Sequence, residues 1–136
     1  MAVTANEAVA RELRSSWFCQ VHDIADIDLQ RRTWLDATNL NPHWSYIEFV
    51  ESYPDGDQLQ HAVAQGWLTG KEFKVLNNLR CVLTEYSPPS KDYYDNAAVL
   101  DDPAWHAVVE EARRARQQLL TTTTNPQERE SLLGMA

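Results

Sequence analysis

Apolar residues along this chain recur at spacings of three and four rather than two, in runs separated by residues that stop and start helices. In the first run Val9, Leu13, Trp17, Val21 and Ile24 form the stripe of a helix reaching to about Ala25, and Thr4 with Glu7 makes a capping box at its start. Asp26 or Asp28 caps a second helix that carries Trp34 and Leu35 and ends before "NLNP". At that point Asn41 is the expected cap and Pro42 the first turn of a third, whose Tyr46, Phe49, Val50 and Tyr53 share one face up to Pro54. "DGD", Asp55 to Asp57, turns the chain into a short fourth helix bearing Leu59, Ala62 and Val63 as far as Gly66.

The fifth helix, about Gly70 to Tyr86, is the most apolar, with Phe73, Val75, Leu76, Leu79, Val82, Leu83 and Tyr86 around more than half of it, so it is the expected centre. "SPPSKDYYD" then forces an extended excursion, because consecutive prolines leave helical space, and a short turn follows around Ala97 to Leu100. Asp102 caps the sixth helix and Pro103 opens it. Trp105, Val108, Val109, Ala112 and Leu119 line its inner side, and Arg113, Arg114 and Arg116 suit the dipole of its last turns. The pattern predicts an all-α fold: a compact single-domain bundle of five to seven helices joined by short capped turns over residues 1–120. Residues 121–136 form a C-terminal tail, where "NPQERESLLG" is a short docked or frayed helix.

One junction invites a different interpretation. In "HAVAQGWLTGKEF" the residues Gly66, Leu68, Thr69 and Glu72 resemble the second half of an EF-hand loop, which would imply calcium. Its first half departs from that pattern, since His61, Val63 and Gln65 stand where three side-chain oxygens are needed. The same letters serve a helix junction: Gly66 in the left-handed conformation ends one helix, and Thr69 with Glu72 forms the capping box of the next.

Composition bounds the possibilities. At 136 residues and 43% hydrophobic, the chain is sized for one domain, and four glycines argue against a turn-rich β fold. No apolar run approaches the ~20 residues of a membrane span. Glu7, Arg11, Glu12 and Arg14 interrupt any signal-like segment near the start, so a soluble cytoplasmic protein is expected. Cys19 and Cys81 lie among apolar helix residues and are expected to be free thiols. The net charge of −8 is concentrated between Trp17 and His61 and between Val82 and Ala112. Such a surface repels nucleic acid and anionic membranes and attracts basic partners.

Chemistry-bearing motifs are sparse. His22, His43, His61 and His106 include no pair spaced four apart, and a soft metal site shared by Cys19, His22 and Cys81 lacks the paired ligand spacing such sites show. There is no G-x-S-x-G, phosphate-binding glycine loop or H-E-x-x-H. Asp55, Asp57, Asp92, Asp95, Asp101 and Asp102 are each accounted for as caps or turn formers. The helix pair from Leu59 to Tyr86 offers only Lys71, Lys74 and Arg80 to a DNA backbone. No catalytic residue, metal or cofactor is therefore expected.

The aromatic residues carry more. Trp44, Trp67 and Trp105 sit beside caps, where aromatics pack back on the core. Tyr93 and Tyr94 instead lie in an irregular loop among Lys91, Asp92 and Asp95, a mixture that suits either a loop covering a helix edge or a protein-binding hot spot. The expected partner site is Tyr93, Tyr94, Asp95, Asp101 and Asp102. The expected function is binding of a basic protein, most concretely as an inhibitor or immunity-type partner of an effector such as a nuclease toxin. An adaptor or regulatory subunit is the alternative, and a small hydrolase using carboxylates assembled by the fold is the third.

Overall fold

The computed structural model describes residues 4–135. Along the chain run α1 (Ala5–Ala25), α2 (Ile27–Trp34), α3 (Tyr46–Ser52), α4 (Gly56–Ala64), α5 (Gly70–Glu85), a 3-10 turn at Pro89–Lys91, α6 (Asn96–Asp101), α7 (Pro103–Leu120) and α8 (Pro126–Leu133). The described residues contain helices and no strand, as the apolar spacing predicts. The short turn expected near Ala97 is the six-residue α6. The "NPQERESLLG" segment is α8, docked on α1 with Leu132 fully buried.

Local capping chemistry sets most of these boundaries. The Thr4 hydroxyl accepts from the Glu7 amide, Asp26 caps α2 through the Leu29 amide, and Asp102 caps α7 ahead of Pro103. At the junction that resembles half an EF-hand, Gly66 takes φ +78° and the Thr69–Glu72 capping box closes with both of its hydrogen bonds. The start of α3 differs from expectation. Asn41 does not cap a helix; its side chain accepts from the His43 amide in a tight turn, and Ser45 is the N-cap of α3.

The centre of the bundle also differs. α1 packs along α7 and α8, and α7 packs in turn on α5, so α7 rather than the more apolar α5 lies between the other two long helices. Small residues explain this, since Ala112 and Ala115 are buried on α7 and let neighbouring backbones approach while Trp105, Val108, Val109 and Leu119 fill the space around them. The α7 arginines do not serve its last turn. Arg113 reaches across to the Ala25 carbonyl at the end of α1 (3.1 Å), and Arg113 and Arg114 pair with Glu110 and Glu111 one turn back. A single buried amide ties three elements: Gln30 of α2 donates to the Asp23 and Ile24 carbonyls of α1, both at 2.9 Å, and accepts from the Trp105 indole of α7 at 2.9 Å.

A buried ion triad joins α1, α5 and α8. Arg14 uses all five guanidinium donors: two on Glu72, two on Glu128 and one on the Trp67 carbonyl, over distances of 2.6–3.1 Å. Its guanidinium also lies over the Phe18 ring, 5.0 Å from the centroid. Burial alone would lower the Arg14 pKa, but the two carboxylates outweigh it and raise it.

Candidate functional site

The acidic segments that are separate in sequence meet at one end of the bundle. α2 packs on α6, and the Asn96 side chain at the start of α6 accepts from the Tyr46 amide at the start of α3 (3.0 Å). Behind this contact lies a buried aromatic cluster. Tyr46 stands 5.4 Å from Trp105, 5.7 Å from Tyr86 and 6.5 Å from Trp34, all within edge-contact range. Burial, with Tyr93 adding a smaller effect, pushes the Tyr46 phenol up to about 12.

Tyr93 is the outermost ring of that cluster, stacked on Tyr46 at a centroid distance of 6.5 Å and an interplanar angle of 24°. It remains 45% exposed, and Tyr94 beside it is 81% exposed. The chain enters the pair through Ser90 and Lys91, both in the left-handed region with φ 56° and 55°, a conformation that costs non-glycine residues energy. Asp92 then closes a turn by accepting from the Tyr94 amide at 3.0 Å. The two tyrosines are thus presented by a loop held at both ends.

The aspartates around them divide by task. Asp95 caps α6 by accepting from the Ala98 amide, and it remains exposed. Asp101 is exposed, one six-residue helix away, about 9 Å along the axis. Asp102 is half-buried and committed on both oxygens, one to the Ala104 amide (3.0 Å) and the other to the Tyr86 hydroxyl (2.8 Å). Tyr93, Tyr94, Asp95 and Asp101 therefore present themselves to solvent, whereas Asp102 anchors α7. None of five surface clefts is lined by any of these residues.

A second cluster escaped the sequence reading. The end of α1 brings His22 between two carboxylates: its Nδ1 donates to Asp23 Oδ1 at 3.1 Å, and its Nε2 stands 3.6 Å from Asp26 Oδ2. His43, from the loop between α2 and α3, places Nε2 4.0 Å from Asp23 Oδ2. The spacing of His22 and Asp26, four apart on one helical face, was the available signal; the contribution of His43 has none. Cys19 lies in the same cleft, but burial and Asp23 push its thiol pKa up, opposite to what a nucleophile requires. Among the described residues no three His, Cys, Asp or Glu side chains converge to hold a metal ion, and Cys19 and Cys81 are free and half-buried.

Trp67 and Trp44 are both half-buried: the Trp67 indole donates to Asn6 at 2.8 Å, and Trp44 packs on His43 and Phe49. Trp105 is fully buried. Lys71 and Lys74 line a cleft with Gln117 and Gln118 of α7, while Arg80 turns back onto Asn77. No helix among the described residues is long and apolar enough to cross a membrane. No family model matches the chain, and no curated protein or solved structure matches it either.

Proposed function

We propose that this chain binds a basic protein through the face carrying Tyr93, Tyr94, Asp95 and Asp101, with Asp102 holding that face in place from below. The most concrete form of this reading is an inhibitor or immunity-type partner that neutralises a basic effector such as a nuclease toxin. The observation that carries it is the tyrosine pair. Tyr94 exposes 81% of its surface on a loop whose other tyrosine is already stacked against the core. Rigid aromatic area presented at little ordering cost, beside carboxylates that attract Lys and Arg, is the chemistry of an interface hot spot. The net charge of −8 supplies long-range attraction for a basic partner.

The test separates anchor from steering. With a partner captured from the native host, Asp95→Asn and Asp101→Asn should slow association and flatten its salt dependence. Tyr94→Ala should mainly speed dissociation and cost about 2 kcal/mol. Unchanged rate constants in folded variants would remove this face from the binding site.

A further inference from the structure

A small cavity lies between the last turns of α1, the loop before α3 and α3 itself, lined by Gln20, Asp23, Ile24, His43, Phe49 and Ser52. It leaves about 10 Å³ for the centre of a water-sized sphere, close to the ~10–15 Å³ that one water molecule needs. No organic ligand fits a space of this size.

One lining side chain has a buried atom without a partner. Gln20 Nε2 donates to the Ser52 carbonyl at 3.2 Å, which fixes the orientation of the amide, because a flipped amide would set two acceptors against each other. That leaves Oε1 as the end enclosed by the fold, and no donor of the chain reaches it. Buried carbonyl oxygens keep a hydrogen bond in nearly every folded protein, so the donor comes from outside the chain.

The opposite wall supplies the remaining partners. Asp23 and His43 both line the cavity, with Oδ2 and Nε2 4.0 Å apart, too long for a direct hydrogen bond and a natural span for one bridging molecule. The Ser52 hydroxyl bonds the Phe49 carbonyl of its own helix only at 3.5 Å. Apolar cavities stay dry, whereas a cavity with two to four polar partners holds water. A metal ion is a poor occupant, since no three His, Cys, Asp or Glu side chains converge among the described residues. We infer that this cavity is the site of one internal water molecule, which donates to Gln20 Oε1 and Asp23 Oδ2 and accepts from His43 Nε2–H. Through it α3 and the loop before it are tied to α1, a helix with which α3 shares no extended packing. The site is independent of the tyrosine face.

A high-resolution crystal structure tests the site directly. A solvent peak is expected within about 3.2 Å of both Gln20 Oε1 and Asp23 Oδ2. In solution, the non-exchangeable protons of Ile24 and Phe49 should show water NOEs with the sign of a long-lived molecule. Gln20→Met keeps the length and helix propensity of the side chain while removing its polar atoms, so the peak and the NOEs should vanish and the amides of residues 46–52 should exchange severalfold faster. Ammonium matches water in size, and melting temperatures in ammonium chloride and sodium chloride of equal concentration should agree. A higher value in ammonium would assign the site to that cation and overturn the inference. No peak in the wild type, a His43 ring moved into direct contact with Asp23 Oδ2, or a peak unchanged in the Gln20→Met protein would overturn it equally.

Discussion

The guanidinium of Arg14 and the carboxylate of Glu72 meet fork to fork, with Nη1 on Oε1 at 2.7 Å and Nη2 on Oε2 at 2.6 Å. This pairing gives Glu72 two tasks at once, because the same Oε1 also accepts from the Thr69 amide at 2.9 Å and so completes the cap of α5. Arg14→Met would leave Glu72 and Glu128 buried as unpaired carboxylates. The expected cost is about 3 kcal/mol, read from chemical denaturation. A loss below about 1 kcal/mol would mean that the triad contributes no more than an exposed pair.

The same triad predicts acid sensitivity. Burial acts to raise the Glu72 pKa, but the Arg14 bonds and the Thr69 amide outweigh it and hold the group below its ordinary 4.5. A carboxylate depressed in the folded state stabilises above its unfolded pKa and loses that contribution as pH falls through the folded value. Wild-type stability should therefore decline below pH 4.5 in part through this group, and the gap between wild type and Arg14→Met should narrow over that window. Melting curves of both proteins from neutral to acidic pH check it; a gap independent of pH would refute the assignment.

Thr69→Ala removes the hydroxyl that accepts from the Glu72 amide at 3.1 Å, and a loss of about 1 kcal/mol is expected. Gly66→Val acts differently. Nothing lies within 4 Å of a Cβ there, so its cost is purely that of holding a β-branched residue at φ +78°, about 1–2 kcal/mol. Thermal melts followed by circular dichroism distinguish these from silent substitutions.

Gly134 ends α8 at φ +71°, and a Cβ on it would overlap the His22 ring. Gly134→Ala should loosen α8 by about 2 kcal/mol, visible as faster amide exchange across residues 126–133. In a His22→Ala background the collision disappears, and only the backbone portion, about 1 kcal/mol, should remain. Equal costs in both backgrounds would show that His22 does not press on the end of this helix.

What could be read from the chain followed the range of the interactions involved. Thr4, Asp55, Thr69, Asp102 and Asn125 all cap helices through bonds to residues two or three positions on, so a local pattern contains the whole relationship. Asn41 was the expected cap because Pro42 follows it, but Ser45, four residues on, is the cap that the helix uses. The Tyr46 amide settles on Asn96, fifty residues away, next to the cap that is used. Arg14 lies 58 residues from Glu72 and 114 from Glu128, and no sequence pattern pairs them. The central place of α7 was hidden because apolar richness marks α5, whereas close approach is granted by alanines. At the candidate face, the exposure of Tyr94 was suggested by its irregular loop, but the stacking of Tyr93 on Tyr46 depends on tertiary contact alone.

Because α1 packs chiefly on α7 and α8, it is synthesised well before the helices that cover it. Trp17, Phe18, Val21 and Ile24 must wait for a stretch of chain that begins at Pro103, a delay of roughly ten seconds at a translation rate of about 5–20 residues per second. During that interval a nascent chain displays a long greasy ridge with no partner of its own. Chaperone engagement of α1 is thus a foreseeable part of how this molecule is made. Expression at lowered temperature or with a holdase co-produced should raise its soluble yield more than any change at the surface of the finished protein.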